Sequence, residues 1–230
     1  MRIATHNVWV NLDDTHAEHA VAKVLRYEPD IIGLQEWGRS RRSILRDLGR
    51  VTVFPKIRYH VGPPHKQVGY VFAYPLGGQP VGVNAAKVEI VAVRRRKLSE
   101  KRPGVRPTHG TELIAQLRET NETVAVLNVH PVAHHDRPEN KAAHTEAVES
   151  IREWAEEWRQ FRCYVVGDMN ARNVKIPGLR SCWEGRPAEG TFRGRPIDHI
   201  YGPHPFGTVR TVNTTSDHHA VVADDTQEKP

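Results

Sequence analysis

The segment Arg162-Cys163-Tyr164-Val165-Val166-Gly167-Asp168-Met169-Asn170 is the clearest structural signal in this chain. Its apolar run ends in Gly and Asp, which is typical of a buried strand, so Asp168 and Asn170 should emerge together where the strand ends. A carboxylate and an amide at that spacing can share a phosphate or a metal ion. Gly, Asp and Asn are also ordinary turn residues, so a simple turn is the alternative interpretation.

Five further segments place polar side chains in a similar way, at the end of an apolar run, inside one, or just before one. One design repeated in six segments favours a common site over six unrelated turns. In chain order, the additional residues are Asn7, Glu36, His130, Asp198, Asp217 and His218.

The bulk properties predict one globular domain. A chain of 230 residues with 38% apolar content can bury a substantial core. We predict a single domain over residues 1–223, a flexible tail over 224–230, and a monomer. No apolar segment is long enough to cross a bilayer and the N-terminus lacks an apolar leader, so we expect a cytoplasmic protein with no membrane partner. The net charge of +6 favours polyanionic partners.

Periodicity locates the main elements. It predicts an α-helix over 15–27 and a longer one over 138–158. A short helix is predicted over 40–48, with Arg41, Arg42 and Arg46 on a solvated outer face. Gly, Pro and β-branched residues alternate between 51 and 93, which is typical of hairpins. Further strands are predicted over 2–8, 30–36, 112–117, 123–130, 163–167, 197–201 and 218–223.

A basic cluster surrounds a segment rich in Pro and Gly, which predicts an exposed loop. A loop this basic can follow a phosphate backbone, so Arg94, Arg95 and Arg96 are the predicted substrate-binding residues. The alternative is a loop whose charges are only solvated. The cluster comprises Arg94, Arg95, Arg96, Lys97, Lys101, Arg102 and Arg106.

The residue types of the candidate site favour a hard divalent cation that keeps positions open for substrate oxygens. Mg²⁺ is the predicted cofactor, with Mn²⁺ as the alternative. Zn²⁺ fits less well, because the chain has no cysteine cluster and His134-His135-Asp136 does not reproduce the His-x-His-x-Asp-His motif of metallo-β-lactamases. A calcineurin-like metallophosphoesterase is disfavoured because the chain lacks a Gly-Asn-His-Asp/Glu motif.

Taken in order, the motifs resemble the endonuclease/exonuclease/phosphatase superfamily, which has the deoxyribonuclease I-like fold, from Arg2 to about Val222. The resemblance implies an α/β protein built as a four-layer sandwich, with two mixed β-sheets face to face and helices on the outer faces. It also implies metal-dependent hydrolysis of a phosphoester. The matching pieces are His6-Asn7-Val8, Leu34-Gln35-Glu36, Asn128-Val129-His130, Gly167-Asp168-Met169-Asn170, Ile197-Asp198-His199-Ile200 and Ser216-Asp217-His218.

The resemblance further implies a metal site. Glu36 resembles the principal metal ligand of the family, with Asn7 and Asp217 nearby. A cation in that place would stabilise the charge that builds on the phosphoryl oxygens during in-line attack.

The resemblance also implies catalytic roles for the other matching residues. Asp168 and Asn170 would orient or activate the attacking water and bind a phosphoryl oxygen. His218, oriented by a hydrogen bond to Asp198, would transfer protons. His130 would donate to the phosphate or to the leaving group.

Some neighbours of these residues have an ordinary explanation. His6, His199 and His219 each abut a proposed site residue, but successive strand residues face opposite sides, so we expect them to be structural. Trp9 and Trp37 can either stack on a base or sugar or pack in the core.

The pattern departs from that of abasic-site endonucleases, which usually carry Asn or Asp where this chain has Trp9 and lack a histidine in the place of His130. It is more similar to deoxyribonuclease I, sphingomyelinase and related phosphodiesterases. We therefore predict a nuclease that cleaves nucleic-acid phosphodiester bonds, with DNA favoured over RNA. The alternatives are a phosphatase or phosphodiesterase acting on a phospholipid head group or small phosphoester, and a non-catalytic binding module.

Overall fold

The computed structural model describes residues 1–38, 41, 45, 48, 50–54, 69–75, 79–133 and 137–226. Two helices within these residues, α1 and α2, span Asp14–Leu25 and Pro138–Glu157. Neither has the combination of length and apolar character needed to cross a membrane. The strands β1 to β13 are, in chain order, Arg2–Asn7, Ile31–Gln35, Arg50–Phe54, Tyr70–Pro75, Val81–Asn84, Val88–Lys97, His109–Leu117, Thr123–Val129, Arg162–Asp168, Arg180–Ser181, Asp198–Gly202, Phe206–Val212 and Ala220–Asp225.

The strands form two mixed sheets. One has the order β12-β13-β1-β2-β5-β4-β3 and the other the order β10-β11-β9-β8-β7-β6. Strand β1 runs parallel to β2 and antiparallel to β13, while β9 runs parallel to β8 and antiparallel to β11. In each sheet, the C-terminal ends of the parallel pair therefore meet the N-terminal end of an antiparallel neighbour at one edge.

Apolar side chains fill three interfaces between four layers. Ile3 and Val126 belong to the core between the two sheets. On the outer face of the seven-stranded sheet, Val21 of α1 packs in a cluster with Ile32. On the outer face of the other sheet, Trp154 of α2 packs in a third cluster. This order of helix, sheet, sheet and helix confirms the predicted four-layer α/β sandwich.

The two sheets approach each other closely because Gly33 in β2 has no side chain. A Cβ atom there would lie 2.7 Å from Val166 and 2.8 Å from Asn128 Oδ1. Asn128 is fully buried and joins the sheets, since it accepts a hydrogen bond from Gln35 Nε2 at 2.6 Å and donates one to Leu34 O at 3.0 Å. A buried amide with satisfied hydrogen bonds fixes the relative position of the elements that it connects.

The predicted loop at the basic cluster is wrong in its first part, because residues 94–97 lie in β6. Backbone pairing with β7 supplies hydrogen bonds that outweigh the local composition. Successive strand residues point to opposite faces, so Arg95 does not share a side with Arg94 and Arg96. Arg96 also donates two hydrogen bonds to Glu157 of α2, at 2.8 and 2.7 Å. The three arginines therefore do not form one contact surface.

The last strand extends beyond its predicted end. Asp224 and Asp225 lie in β13, so the predicted start of a flexible tail at 224 is wrong, and residues 227–230 lie outside the described residues. Buried Asp225 accepts hydrogen bonds from Arg162 Nη2 at 2.8 Å and from Tyr164. Asp224 pairs with Arg2 at 2.7 Å. These non-local ion pairs hold a segment whose composition alone is typical of a tail.

Two other features differ from the sequence prediction. Arg41 is 3% exposed, so it does not lie on a solvated helix face. Arg42 and Arg46 fall outside the described residues. Strand β12 was not predicted, because the alternation of its buried and exposed residues is irregular and it forms by pairing with β13 across a register shift.

Candidate active site

One edge of the sandwich collects the polar residues at strand ends. Asn7 ends β1 and Glu36 follows β2, while His130 follows β8 and Asp168 ends β9. Asp198 begins β11 and lies directly opposite Asp168 in the antiparallel register. Residues far apart in the sequence therefore meet at this edge because the strands that carry them are paired or face each other.

Gly167 allows Asp168 to reach this position. Its φ is 146°, and a Cβ atom there would lie 2.0 Å from the carbonyl oxygen of Val129. Only glycine fits that approach of β9 to β8. Asp168 thus ends a strand at the site, and the simple-turn interpretation is not needed.

Asn7 connects the acids of the two sheets. Its Nδ2 donates to Glu36 Oε1 at 3.0 Å and to Asp168 Oδ2 at 3.1 Å. Its Oδ1 accepts the N–H of Trp9 at 3.0 Å, and this backbone donor sets the orientation of the amide. Burial tends to raise the pKa of Glu36, but the N–H of Val10 at 3.0 Å and the Asn7 amide favour the carboxylate and hold the pKa below its usual value. Glu36 is therefore ionised at neutral pH.

His218 and Asp198 form a buried pair. Nδ1 of His218 lies 2.9 Å from Asp198 Oδ2, and Nε2 lies 3.8 Å from Asp168 Oδ2. Burial opposes the charged imidazole, but the hydrogen bond to Asp198 and the charges of Asp198, Asp168 and Asp217 outweigh it and raise the pKa of His218 to about 9. At pH 7 the ring is therefore an imidazolium that pairs with Asp198 and lies near the charge of Asp168.

Asp168 is the most strongly desolvated acid in contact with the Asn7 amide. Burial, followed by the charge of Asp198, raises the pKa of Asp168 to about 6. Its Oδ1 accepts the N–H of Asn170 at 2.7 Å. Nε2 of His130 lies 3.6 Å from Asp168 Oδ2 and 3.8 Å from Glu36 Oε1. A carboxylate with a pKa near neutrality is suited to general-base catalysis.

The other predicted site residues lie at different distances from this centre. Asn170 adopts a left-handed φ of 50° and its Nδ2 donates to Pro131 O at 2.9 Å. Asp217 is exposed, and desolvation together with the charge of Glu36 raises its pKa. The arginines at 94–96 lie on β6, which is separated from β9 by β7 and β8.

Several features fit a divalent cation. Ligand atoms of Asp168, Asp198 and His218 lie within 4.8 Å of one another, although His218 would have to lose its proton to bind a metal ion. Asp198 Oδ1 is buried and has no hydrogen-bond partner among the described residues. Glu36 adds an ionised and more accessible carboxylate. The predicted role of Asn7 as a ligand requires its oxygen, which here accepts from the backbone instead.

A turn that was not predicted from the sequence covers His218. The Phe192 ring stacks on the His218 ring with centroids 4.5 Å apart and planes at 24°. The guanidinium groups of Arg193 and Arg195 lie 5.1 and 5.7 Å from the Phe192 centroid. Within the part of the chain that the structure describes, neither arginine pairs with a carboxylate. The usable signal was an aromatic residue followed closely by two cations in the segment Thr191-Phe192-Arg193-Gly194-Arg195.

We expect His6 to make the free energy of unfolding fall in mild acid. Burial lowers the pKa of His6 to about 3, against an ordinary value of 6.5. Between these values the unfolded chain binds more protons, so stability present above pH 6.5 is lost as the pH falls, by about 2 kcal/mol from pH 7 to 5. Denaturant titrations at both pH values should show a smaller loss in His6→Gln than in wild type. Exposed His19→Gln is the matched control, and equal losses in wild type and His6→Gln would refute the assignment.

Comparison with known sequences and structures agrees with this architecture. A profile of the Endonuclease/Exonuclease/phosphatase family matches residues 4–218. No curated protein matches the sequence.

Solved structures with low sequence identity share the fold. D. rerio TDP2 in complex with a single-strand DNA product is 12% identical, with a TM-score of 0.73 and coverage of 97% of each chain. The mannosyl-6-phosphatase of Bacteroides thetaiotaomicron is 17% identical, with a TM-score of 0.69 over 97% of this chain and 98% of that one. The human nocturnin catalytic domain with bound sulfate is 18% identical, with a TM-score of 0.63 over 98% and 94%.

Proposed function

The chain belongs to the endonuclease/exonuclease/phosphatase family, whose members hydrolyse phosphoester bonds, and from this premise we propose that it is a metal-dependent phosphodiesterase that cleaves nucleic acid. The observation that carries the proposal is the Asn7 amide, which joins Glu36 of one sheet to Asp168 of the other. Two histidines, His130 and His218, stand beside the same carboxylates. Carboxylates that can hold a metal ion and a charged imidazole that can donate a proton are suited to in-line attack on a phosphodiester.

The proposed proton transfers follow from the environments of the two buried groups. Asp168, with a pKa raised to about 6, accepts a proton from the attacking water, and the N–H of Asn170 orients its carboxylate. His218, held as an imidazolium by Asp198, donates to an oxygen of the phosphoryl group as negative charge builds. His130, whose Nε2 lies 3.6 Å from Asp168 Oδ2, is assigned as the second donor, to the phosphate or to the leaving oxygen.

We place the cation against Glu36, with Asp217 nearby and Asn7 as a third ligand if its amide rotates. A protonated imidazole has no free lone pair, so His218 is assigned to proton donation rather than metal binding. Mg²⁺ is the proposed ion, with Mn²⁺ as the alternative, because the ligands are oxygen atoms. When bound, the ion neutralises charge on the phosphoryl oxygens.

The turn above His218 favours a substrate with several negative charges. Arg193 and Arg195 lie over the Phe192 ring that itself stacks on His218, which brings two cations to the turn that covers this histidine. They suit a phosphate next to the scissile one. The β6 cluster fits this role less well because Arg96 is paired with Glu157, and substrate binding by Arg94 and Arg95 stays a prediction.

A matched pair of double variants tests which cations contact nucleic acid. Arg193→Ala/Arg195→Ala should weaken oligonucleotide binding and flatten the slope of log affinity against log salt by about 1.4, since each single-strand phosphate contact contributes about 0.7. Arg94→Ala/Arg95→Ala removes the same charge from β6 and should change the slope little. Fluorescence anisotropy across a salt series in EDTA gives both values. A flatter slope only in Arg94→Ala/Arg95→Ala would show that nucleic acid contacts β6 and not the turn over His218.

A substrate panel tests the reaction class. Single-stranded DNA and RNA, a chromogenic diester and a sugar 6-phosphate should be incubated with Mg²⁺ and with Mn²⁺. We expect hydrolysis of the nucleic acids and the diester, with DNA faster than RNA, and little release of phosphate from the monoester. Turnover of the monoester alone would favour the phosphatase alternative, and no turnover of any substrate would favour a non-catalytic binding module.

A further inference from the structure

A buried arginine holds the loop 8–13, which follows β1. Arg41 is 3% exposed, and its guanidinium donates to the carbonyl oxygens of Trp9 at 3.2 Å, Val10 at 2.8 Å and Leu12. A buried guanidinium is costly unless its N–H groups are satisfied. Here three of its hydrogen bonds go to one loop, so the loop has a fixed conformation.

The same loop contacts the candidate active site. Its Trp9 N–H bonds Asn7 Oδ1 and its Val10 N–H bonds Glu36 Oε2, each at 3.0 Å. Arg41 therefore stands directly behind the backbone that orients these two side chains. The loop therefore helps to orient Asn7 and Glu36.

Trp9 itself is unusual in two respects. Its φ is 53°, a left-handed value that is uncommon for a bulky residue, and it remains 38% exposed. Trp37, in contrast, is 4% exposed and its ring lies 6.0 Å from the Arg41 guanidinium carbon, so it is a core residue. Core packing does not explain Trp9, because its side chain is partly exposed to solvent. Its left-handed backbone conformation is strained and lies beside the candidate active site.

We propose that Trp9 is a stacking platform for the nucleobase next to the scissile phosphate, and that Arg41 is the positioning residue that holds it there. The inference rests on the proposed function, because a nucleotide substrate supplies the planar base. An indole stacks on any base, so this contact adds affinity without sequence preference.

Two chromogenic diesters isolate the nucleoside. Thymidine 5′-p-nitrophenyl phosphate and methyl p-nitrophenyl phosphate share the scissile bond and the leaving group, but only the first carries a deoxyribose and a base. Trp9→Leu should raise KM for the thymidine ester by about 10-fold and leave KM for the methyl ester within about 2-fold, whereas Trp9→Phe should retain most of the affinity. Phe161→Leu is the matched control, because Phe161 is 41% exposed and precedes β9 at the end opposite Asp168.

Arg41→Lys tests the positioning role, because an ammonium group cannot serve three carbonyls with the planar fork of arginine. Because Arg41 also stands behind the backbone that orients Asn7 and Glu36, Arg41→Lys should lower kcat for both esters alike and raise KM only for the thymidine ester. Trp9→Leu/Arg41→Lys should have a KM no higher than that of the poorer single variant, with melting temperatures confirming the fold. Additive effects would overturn the positioning role of Arg41. An unchanged KM in Trp9→Leu, or equal increases for both esters, would overturn the stacking role while wild-type hydrolysis upholds the proposed function. Failure of wild type on both esters would overturn both.

Discussion

Glu36→Gln should lower kcat for diester hydrolysis by at least about 10³-fold while the protein remains folded. Glu36 is the ionised acid at the accessible side of the Asn7 bridge, and its pKa is held below the usual value by the donors that surround it. Glutamine keeps the size and one acceptor oxygen, so one of the two hydrogen bonds, that from Asn7 to Oε1 or that from Val10 to Oε2, can persist. What it removes is the charge that a divalent cation needs.

Initial rates at saturating substrate, measured with Mg²⁺, give the size of this effect. Cation binding followed by calorimetry without substrate should be lost in the same variant, which separates a ligand from a residue needed only for turnover. Glu119→Gln, at an exposed position, is the matched control and should resemble wild type. A Glu36→Gln enzyme within a few-fold of wild type would contradict the placement of the metal ion.

His218→Ala should lower kcat by at least about 10²-fold, because it removes the proposed proton donor. Asp198→Asn should change the pH dependence of activity. The charge of Asp198 and its hydrogen bond raise the pKa of His218 to about 9, so activity should fall on the alkaline side near that pH in wild type. Without the charge, the pKa of His218 drops and the alkaline limb moves to lower pH. The pH dependence of kcat measures this shift directly.

His199→Gln supplies the control for these variants. His199 neighbours Asp198 in β11, but its Nε2 faces the carbonyl oxygens of Ala171 and Pro196 at 3.1 Å, on the side away from His218. We expect kcat to change far less than in His218→Ala. Equal losses in the two variants, or an alkaline limb that does not move in Asp198→Asn, would refute the assignment of His218 as the donor.

The family was predictable because the motifs that carry the resemblance are local, and the four-layer fold was predicted as what that resemblance implies. The apolar run before Asp168, and the corresponding runs before Asn7 and Glu36, each describe a buried strand with a polar end. The structure places these ends at one edge, while the individual chemical roles of the residues remain predictions.

Features that depend on non-local pairing were not predictable in this way. The residues 94–97 have the composition of a loop, but they form a strand because their backbone pairs with β7. Arg41 has the pattern of a solvated cation, but its partners are carbonyl groups about thirty positions earlier in the chain. Phe192 contacts His218 only because the turn that carries it folds over that histidine. Local composition contains no information about such partners.

The dependence of single-stranded DNA cleavage on free Mg²⁺ tests the central claim most directly. We predict that wild-type protein cleaves the oligonucleotide with a rate that rises to saturation with Mg²⁺, falls to background in EDTA, and recovers when Mg²⁺ or Mn²⁺ is restored. Full activity in EDTA, or no cleavage at any concentration of either ion, would contradict the account.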